Sequence, residues 1–216
     1  MKVDLPWFGG LYNEVVAADC YNLKGLDFVP DVILDVGANI GLFAHHARSL
    51  FYNAELICVE PDDSNFAHLS ESPPLGARLI KAAIGNGEIW EIEGIEHGCH
   101  RRFISPGVAY PETSQWKKRE DLEVLTIAEL ISRFVKANQK SILKIDIEGN
   151  EDAIFAHQPS MEAMLRIDYV AIEVHRFAAG EEQAKELNLE TEKALATFFD
   201  THRIVWTQSN FLARKI

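Results

Sequence analysis

Short apolar runs recur along this chain, separated by stretches in which apolar residues lie three or four positions apart. The apolar runs predict β-strands at residues 32–36, 55–59, 78–84, 142–147 and 169–174. The spacing between them predicts helices that bury one face against those strands. Strands that alternate with helices predict an α/β fold with a doubly wound, mostly parallel, Rossmann-like sheet.

The predicted helices follow the same alternation. They occupy residues 40–52, 62–70, 150–156, 159–166 and 190–199, with a shorter one near 13–20. Another begins at Thr126, because Thr126 and Glu129 can form a capping box ahead of an apolar stretch. Two closing apolar segments, 203–207 and 211–215, are predicted to pair as an antiparallel C-terminal end of the sheet.

Residues 88–122 interrupt this alternation, since they contain no long helical pattern. A long stretch without helices or strands is unusual inside a compact domain unless it has a function. We therefore predict an inserted hairpin and loop, with a strand at 88–93. The insertion belongs to a single domain that spans residues 1–216, in which residues 1–30 form an N-terminal cover.

Composition narrows the function classes. Of the 216 residues, 47% are hydrophobic, which suffices for one full core. The net charge of −12 argues against binding to nucleic acid or to anionic membranes. The three cysteines show no paired spacing, and no apolar run is long enough to span a membrane. The expectation is a cytoplasmic protein that binds neither nucleic acid nor membrane.

The most informative motif is DVGANIG at residues 35–41, directly after the first strand. The second strand ends in an acid, Glu60. A glycine-rich turn lets a ligand approach the backbone, and an acid at the next strand end can hold ribose hydroxyls, so the pattern predicts a nucleoside site. The glycine spacing departs from the G-x-G-x-x-G of dinucleotide sites. S-adenosylmethionine has no phosphates, and a carboxylate at Asp35 suits its cationic part.

Five segments then carry a resemblance. In chain order they are DVGANIG at 35–41, EPDDSNF at 60–66, KAAIGN at 81–86, LKIDIEGNE at 143–151 and AIEVH at 171–175. Together they resemble the FkbM family of S-adenosylmethionine-dependent methyltransferases. The resemblance implies the class I methyltransferase fold and methyl transfer to a hydroxyl oxygen. The implied partner is a small-molecule acceptor, a hydroxylated sugar or another natural product.

The cofactor site is predicted at the turn and at the next two strand ends. Its residues are Asp35, Gly37, Asn39, Gly41, Glu60, Ala82 and Ala83. Asp35 and Asn39 are expected to hold the methionine part of the cofactor, although Asn39 can also cap the following helix. A side chain on Gly37 is expected to enter the ligand's space. The two alanines either leave room for adenine or simply belong to a core strand, and Asp62 is preferred as a helix cap.

The acids of the fourth and fifth strands carry the candidate chemistry. Asp146 and Glu148 are two positions apart, as are Glu173 and His175, so each pair is expected to face one side of its strand. Asp146, Glu148 and His175 are the predicted catalytic residues, with His175 or Asp146 as general base for the acceptor hydroxyl. Alternatively, these three and Glu173 hold a divalent ion such as Mg²⁺ that lowers the acceptor's pKa. In a third interpretation Glu173 pairs with a buried cation and His175 is structural.

Cationic and aromatic residues gather in the insertion. They are His97, His100, Arg101, Arg102, Trp116, Lys117, Lys118 and Arg119. One interpretation is an acceptor-binding lid, and the other is a solvated surface.

Three other function classes remain as alternatives. A nicotinamide-dependent reductase is disfavoured because G-x-G-x-x-G and a Tyr-x-x-x-Lys pair are missing. A non-catalytic nucleoside-binding module is disfavoured because the acids of the fourth strand are intact. Nucleic-acid methylation is disfavoured by the acidic balance and by the missing Asn/Asp-Pro-Pro-Tyr/Phe motif.

Overall fold

The structure, a computed structural model, describes residues 6, 8–92, 103–105, 116–175, 191–198, 201–206 and 210–215. The strands are β1 (Val32–Val36), β2 (Glu55–Val59), β3 (Arg78–Ile80), β4 (Ala82–Ile84), β5 (Trp90–Ile92), β6 (Phe103–Ile104), β7 (Trp116–Lys118), β8 (Glu123–Leu125), β9 (Ser141–Ile145), β10 (Tyr169–Glu173), β11 (His202–Trp206) and β12 (Asn210–Lys215). The α-helices are α1 (Phe8–Tyr12), α2 (Leu42–Leu50), α3 (Asp63–Glu71), α4 (Ile127–Phe134), α5 (Glu151–Phe155) and α6 (Gln158–Met164). Within these ranges, no helix is both long and apolar enough to cross a membrane.

A seven-stranded sheet lies at the centre, in the order β11-β12-β10-β9-β1-β2-β3. β1 pairs in parallel with β2 and β9, and β9 pairs in parallel with β10. β12 runs antiparallel to β10 and β11. The prediction of a mostly parallel α/β sheet with an antiparallel C-terminal end is therefore confirmed. The chain leaves β1 towards β2 and later returns to β9 on the other side, so the carboxyl end of β1 is a topological switch point, where such sheets bind ligands.

Apolar side chains cover both faces of this sheet. Along β1, Val32, Leu34 and Val36 belong to one buried cluster and Ile33 to the other. Helices α4 to α6 contribute to the first cluster, whereas α2 and the N-terminal segment contribute to the second. All five β1 residues are buried. The polar residue of this strand, Asp35, is consequently enclosed, and its charge needs a partner.

The N-terminal segment packs over the second face. α1 continues into a π-helical turn (Asn13–Ala17), and a 3₁₀ turn follows (Leu23–Gly25). The helix predicted near 13–20 is therefore a shorter turn that ends at Ala17. Between the two turns Tyr21 is buried, and its carbonyl accepts a hydrogen bond from the Tyr169 hydroxyl at 2.8 Å. This contact joins the N-terminal segment to β10.

The strand predicted at 78–84 is broken at Lys81. β3 pairs with β2 at the edge of the central sheet, whereas β4 pairs with β8. Lys81, between them, forms an ion pair with Asp63. The local apolar pattern predicts one strand because the partner of β4 lies far away in the sequence. Because β4 pairs with β8, the second half of the apolar run at 78–84 lies outside the central sheet.

Two of the helix caps agree with the sequence pattern. Thr126 and Glu129 form the predicted capping box of α4. The Asp62 side chain accepts a hydrogen bond from the Asn65 amide at the start of α3. Asn39 does not cap α2, because its side-chain oxygen accepts from the adjacent amide of Ile40 at 2.7 Å.

The described residues of the insertion form an antiparallel sheet in the order β6-β5-β7. Arg119 fastens this sheet to the domain: it lies 2.8 Å from Glu91, 2.9 Å from Asp121 and 3.4 Å from Asp63 at the start of α3. The Arg119 side chain is only 6% exposed, although its partners Asp63 and Asp121 are largely exposed, so Arg119 itself is not a freely solvated surface residue. Four of the other predicted lid residues lie outside the described part of the chain: His97, His100, Arg101 and Arg102.

Candidate functional site

The turn after β1 adopts left-handed backbone conformations at three positions. φ is +74° at Gly37, +52° at Asn39 and +89° at Gly41. A Cβ on Gly37 would lie 1.7 Å from the backbone oxygen of Asp146, and one on Gly41 would lie 2.7 Å from Leu69 Cδ1. Gly37 is required by both the backbone contact and its positive φ, whereas at Gly41 the positive φ is the stronger reason, because the end of the Leu69 side chain can shift. The expected reason for Gly37 was therefore wrong: a side chain there would meet the segment after β9 before it entered a ligand's space.

Glu60 forms the floor of a cleft beside this turn. Its side chain is buried, Oε2 accepts a hydrogen bond from the Asn39 amide at 2.7 Å, and Oε1 accepts one from the Asp62 amide at 3.0 Å. Burial raises the pKa of Glu60 to about 7, although these two amides lower it. A carboxylate has more acceptor sites than two. Glu60 can therefore accept further hydrogen bonds from the hydroxyls of a ribose.

The cleft above Glu60, called here the Glu60 cleft, lies between the turn after β1, the end of β4 and the segment after β9. Its lining includes Ala82, Ala83 and the side chain of Phe103. The two alanines that are predicted to leave room for adenine thus line this cleft. Phe103 of the insertion, which the sequence does not single out, supplies another wall.

Asn150 anchors the segment that carries Phe103. Asn150 is fully buried, its Oδ1 accepts from the Ser105 amide at 2.7 Å, and its Nδ2 donates to the Ile84 carbonyl at 2.6 Å. These bonds join the end of β6 to the end of β4. The guanidinium of Arg119 lies 5.7 Å from the centre of the Phe103 ring. The insertion is therefore fixed to the wall of the Glu60 cleft.

A buried cation, Lys144, lies beneath the glycine turn, and it is not among the predicted site residues. Its Nζ donates to the Gly37 carbonyl at 2.6 Å and lies 3.3 Å from Asp35 Oδ1 and 3.5 Å from Asp146 Oδ2. Burial alone lowers the pKa of Lys144, but Asp35 and Asp146 raise it above its ordinary value. Asp35 is 0% exposed. The structure thus places Asp35 behind the turn as the partner of Lys144, away from the predicted direct contact with a cofactor.

Asp146 and Glu148 come together through a turn and not along a strand. β9 ends at Ile145, and φ is +57° at Glu148 and +114° at Gly149. One carboxylate oxygen of each acid and one ring nitrogen of His175 all lie within 4.8 Å of one another. The structure therefore brings the predicted catalytic residues together, but the extended-strand argument for their common side was wrong.

The imidazole of His175 lies among four carboxylates. Nδ1 is 3.5 Å from Glu151 and 3.8 Å from Asp146, and Nε2 is 3.6 Å from Glu173 and 3.8 Å from Glu148. Burial alone lowers the pKa of His175, but Glu151, Asp146 and Glu148 raise it to about 10. The ring is therefore protonated near neutral pH and offsets the negative charge around it. A protonated ring has no site to accept a proton, which argues against His175 as the general base.

A second cavity, of about 330 Å³, lies on the other side of the turn and is called here the Tyr21 cavity. Its ionisable lining consists of Glu14, Tyr21, Lys144, Asp146, Glu148, Glu173 and His175. It meets the Glu60 cleft at Gly37, Asn39, Asp146 and Glu148. Two adjoining spaces suit two ligands whose reacting atoms meet beside Asp146.

Tyr21 places its hydroxyl between two of these acids. The oxygen lies 3.2 Å from Asp146 Oδ2 and 3.2 Å from Glu173 Oε2. Burial and the charge of Asp146 raise the pKa of Glu173 to about 7, although His175 lowers it. Tyr21 belongs to the N-terminal segment, and no local motif marks it in the sequence.

Comparison with known proteins identifies the family and the fold of this chain. Residues 35–205 match the family model described as the methyltransferase FkbM domain. No protein with a curated description is significantly similar in sequence. The solved FkbM methyltransferase of Methylobacillus flagellatus KT has a TM-score of 0.51 and 16% identity over 89% of this chain, which spans 45% of the length of that protein.

A second solved structure, from Clostridium thermocellum, is described as an rRNA methylase. It has a TM-score of 0.53 and 10% identity, and the match covers 93% of this chain and 95% of that one. At such identities the two structures show a common fold, which is the predicted methyltransferase fold.

Proposed function

The chain belongs to the FkbM methyltransferase domain family, and from this premise we propose that it transfers a methyl group from S-adenosylmethionine. We further propose that the acceptor atom is a hydroxyl oxygen of a sugar or another small natural product. The observation that carries the proposal is the position of Asp146, which borders both the Glu60 cleft and the Tyr21 cavity.

The Glu60 cleft is the proposed cofactor site. Glu60 accepts hydrogen bonds from the ribose hydroxyls, and Ala82 and Ala83 leave room for the adenine beside Phe103. Asn39 and the backbone at Gly37 border the methionine part, where the turn lies next to Asp146, whereas Gly41 lines neither space and faces Leu69. The small residues, the buried carboxylate and the aromatic wall fit a nucleoside without phosphates.

The Tyr21 cavity is the proposed acceptor site. When bound, S-adenosylmethionine supplies a methyl group on a positively charged sulfur, which makes that group reactive. The protein must then align the acceptor oxygen with it and remove the hydroxyl proton. Asp146 is the proposed base, because it borders both spaces and because a carboxylate can accept a proton, which a protonated imidazole cannot. Lys144 and Tyr21 hold its Oδ2 atom, and Glu148 lines both spaces beside it.

The charge of the Tyr21 cavity favours a neutral or cationic acceptor. Four carboxylates line its described part: Glu14, Asp146, Glu148 and Glu173. The two cations there, Lys144 and His175, are already surrounded by carboxylates. A phosphate group would meet excess negative charge. This supports a small hydroxylated acceptor over an RNA, although a relative in fold is described as an rRNA methylase.

A divalent ion at Asp146, Glu148, Glu173 and His175 is the second candidate mechanism. The described ligand atoms of Asp146, Glu148 and His175 are close enough to surround one ion. A histidine must be neutral to bind a metal, however, and the raised pKa of His175 keeps its ring protonated near neutral pH. An ion must therefore displace that proton. Turnover that EDTA abolishes and Mg²⁺ restores supports this mechanism, and turnover unaffected by EDTA contradicts it.

The cofactor is tested by thermal unfolding of the protein with S-adenosylhomocysteine, with NAD as the control ligand. A ligand at 100 times its Kd adds about 2.7 kcal/mol to the free energy of unfolding, which raises Tm by about 5–10 °C for a chain of this size. A shift with S-adenosylhomocysteine alone supports the proposal. A shift with NAD alone supports the reductase instead.

The acceptor is tested with methyl-labelled S-adenosylmethionine and matched sugars: a neutral hexose, an amino sugar and a sugar phosphate. We expect label in the first two classes and little in the third. A methyl ether survives mild alkali, whereas a methyl ester does not, so alkali treatment identifies the methylated atom. Label found only in RNA or only in sugar phosphates overturns the proposed acceptor class.

A further inference from the structure

Tyr21 is held in place by contacts that do not involve its hydroxyl. Its ring is 2% exposed and packs edge-on against Phe43 at 5.3 Å between ring centres. The Nζ atom of Lys144 lies 5.8 Å from the ring centre. The ring position is therefore fixed by Phe43 and Lys144, and the Tyr21 hydroxyl can do something other than anchor the ring.

The hydroxyl joins two carboxylates that belong to different parts of the sheet. Asp146 follows β9, and Glu173 ends β10. The Tyr21 oxygen is 3.2 Å from one oxygen of each. Two carboxylates so close to one another repel when both are charged. A hydroxyl between them can donate to one and accept from the other when that one is protonated, so it can hold both side chains in a single arrangement.

The other neighbours of Asp146 do not replace this contact. Lys144 lies 3.5 Å from the same oxygen of Asp146, but it is also held by Asp35 and by the Gly37 carbonyl. His175 lies 3.8 Å from the other oxygen, beyond hydrogen-bond distance. Among the described side chains, Tyr21 thus provides the directional contact that sets the rotation of the Asp146 carboxylate.

We propose that Tyr21 is a positioning residue for methyl transfer: its hydroxyl ties Asp146 to Glu173 and so directs the Asp146 carboxylate towards the acceptor oxygen. The inference rests on the proposed function. It also gives the N-terminal segment a part in the reaction, because that segment both covers the Tyr21 cavity, through Leu11 and Val15, and supplies the hydroxyl. In this role the Tyr21 phenol orients the Asp146 carboxylate and does not itself bind the cofactor.

Two matched variants test the proposal: Tyr21→Phe and Tyr169→Phe. Each removes one buried hydroxyl and keeps the ring, but the Tyr169 hydroxyl donates its hydrogen bond to the backbone of the same N-terminal segment and not to a carboxylate. The probe is whichever of the neutral hexose and the amino sugar is methylated faster. We expect Tyr21→Phe to lower kcat by about 10- to 100-fold with a KM for the acceptor within about threefold, since misplacing a reacting group acts on the rate. Tyr169→Phe is expected to keep kcat within about threefold.

Binding of S-adenosylhomocysteine separates positioning from damage to the cofactor site. Its Kd is expected to stay within about threefold in both variants, because neither hydroxyl borders the Glu60 cleft. An unchanged kcat in Tyr21→Phe overturns the proposal. An equal loss of kcat in both variants also overturns it, because the effect then comes from the fold of the N-terminal segment.

A second readout does not depend on turnover. The ring ¹⁵N signals of His175, identified with His175→Gln, report on Asp146 and Glu173, which lie 3.8 Å and 3.6 Å from the ring. These signals are expected to move in Tyr21→Phe and to stay in Tyr169→Phe. If they move while the wild-type protein methylates no acceptor, the proposed function fails but the positioning of the two carboxylates stands. If they do not move in Tyr21→Phe, the positioning role is overturned whatever the reaction.

Discussion

The backbone oxygen of Asp146 lies 1.7 Å from the position that a Cβ on Gly37 would occupy. The same two segments are joined by the Asp146 amide, which donates to the Val36 carbonyl at 3.0 Å. The turn after β1 and the segment after β9 are therefore in direct backbone contact. Any change that separates them moves the proposed base relative to the proposed cofactor site.

Gly37→Ala is expected to destabilise the whole domain. The new methyl group would meet a backbone atom, which cannot rotate away, and φ at this position is +74°. Strain and overpacking together should lower the free energy of unfolding by about 2–4 kcal/mol. Chemical denaturation measures the loss.

Gly76→Ala is the matched control for this change. Gly76 has a similar φ of +70°, but a Cβ there would meet nothing within 4 Å. It should therefore lose only the conformational part, about 1 kcal/mol. Equal losses in the two variants contradict the argument that the contact with Asp146 requires glycine at position 37.

The parts of the fold that depend on local pattern were predictable. The β1 and β2 boundaries and the α4 capping box follow from apolar runs and from residues three positions apart. The break at Lys81 was not predictable, because it depends on pairing between β4 and the distant β8. Prediction thus succeeded where a signal lies within a few residues.

The same limit applies to the site. Glu60 and Asp146 could be named because each follows a strand that ends at the switch point. Tyr21 and Phe103 could not, because their roles arise from contacts with residues far away in the sequence. Lys144 lies inside the LKIDIEGNE segment, two positions before Asp146, but its contact with Asp35 joins strands that are distant in the sequence. Asp35 was named correctly as an acid at a strand end, but its neighbours bury it. Whether an acid at the end of β1 is open to a ligand or buried depends on how both faces of the sheet are packed, which the local sequence does not show.

Phe103→Leu is expected to weaken binding of S-adenosylhomocysteine. The aromatic ring forms a wall of the Glu60 cleft, and loss of contact between a base and an aromatic ring costs about 1–2 kcal/mol. Kd should therefore rise about 5- to 30-fold. Titration calorimetry measures it.

Phe28→Leu provides the comparison for Phe103. Both rings lie beside a cation, Arg119 at 5.7 Å for Phe103 and Lys140 at 6.0 Å for Phe28. Phe28 lines neither of the two spaces described above, so its variant should bind the ligand as the wild type does. A Kd for Phe103→Leu that matches the control removes Phe103 from the cofactor site.

Binding of S-adenosylhomocysteine is expected to strengthen as the pH rises through about 7. Burial raises the pKa of Glu60 from its ordinary 4.5 to about 7, so the folded protein holds this proton over a range in which the unfolded chain releases it. Glu60 consequently lowers the stability of the free protein as the pH rises from 4.5 to 7. A ribose that donates hydrogen bonds prefers the ionised form. Affinity should therefore increase by up to about tenfold between about pH 6 and pH 8.

The Glu60→Gln variant tests whether Glu60 is the group that causes this pH dependence of binding. Glu173 also has a pKa raised to about 7, so the wild-type profile alone does not identify the group. The Glu60→Gln variant should bind more weakly and lose most of the slope, whereas Glu129→Gln, in the capping box of α4, should keep both affinity and slope. A full slope in Glu60→Gln assigns the titration to another group.

Asp146→Asn is expected to abolish methyl transfer while leaving cofactor binding largely intact. The amide keeps the size of the carboxylate and the backbone contact with Gly37, but it cannot take a proton from the acceptor. The Kd for S-adenosylhomocysteine should stay within about tenfold, which corresponds to about 1.4 kcal/mol. Asp168→Asn is the matched control, because Asp168 also pairs with a lysine, Lys140 at 2.8 Å. Asp168 lies just before β10 and therefore at the amino ends of the parallel strands, whereas Asp146 lies at their carboxyl ends. It should lose stability and keep turnover per folded molecule, so that turnover retained in Asp146→Asn excludes Asp146 as the base.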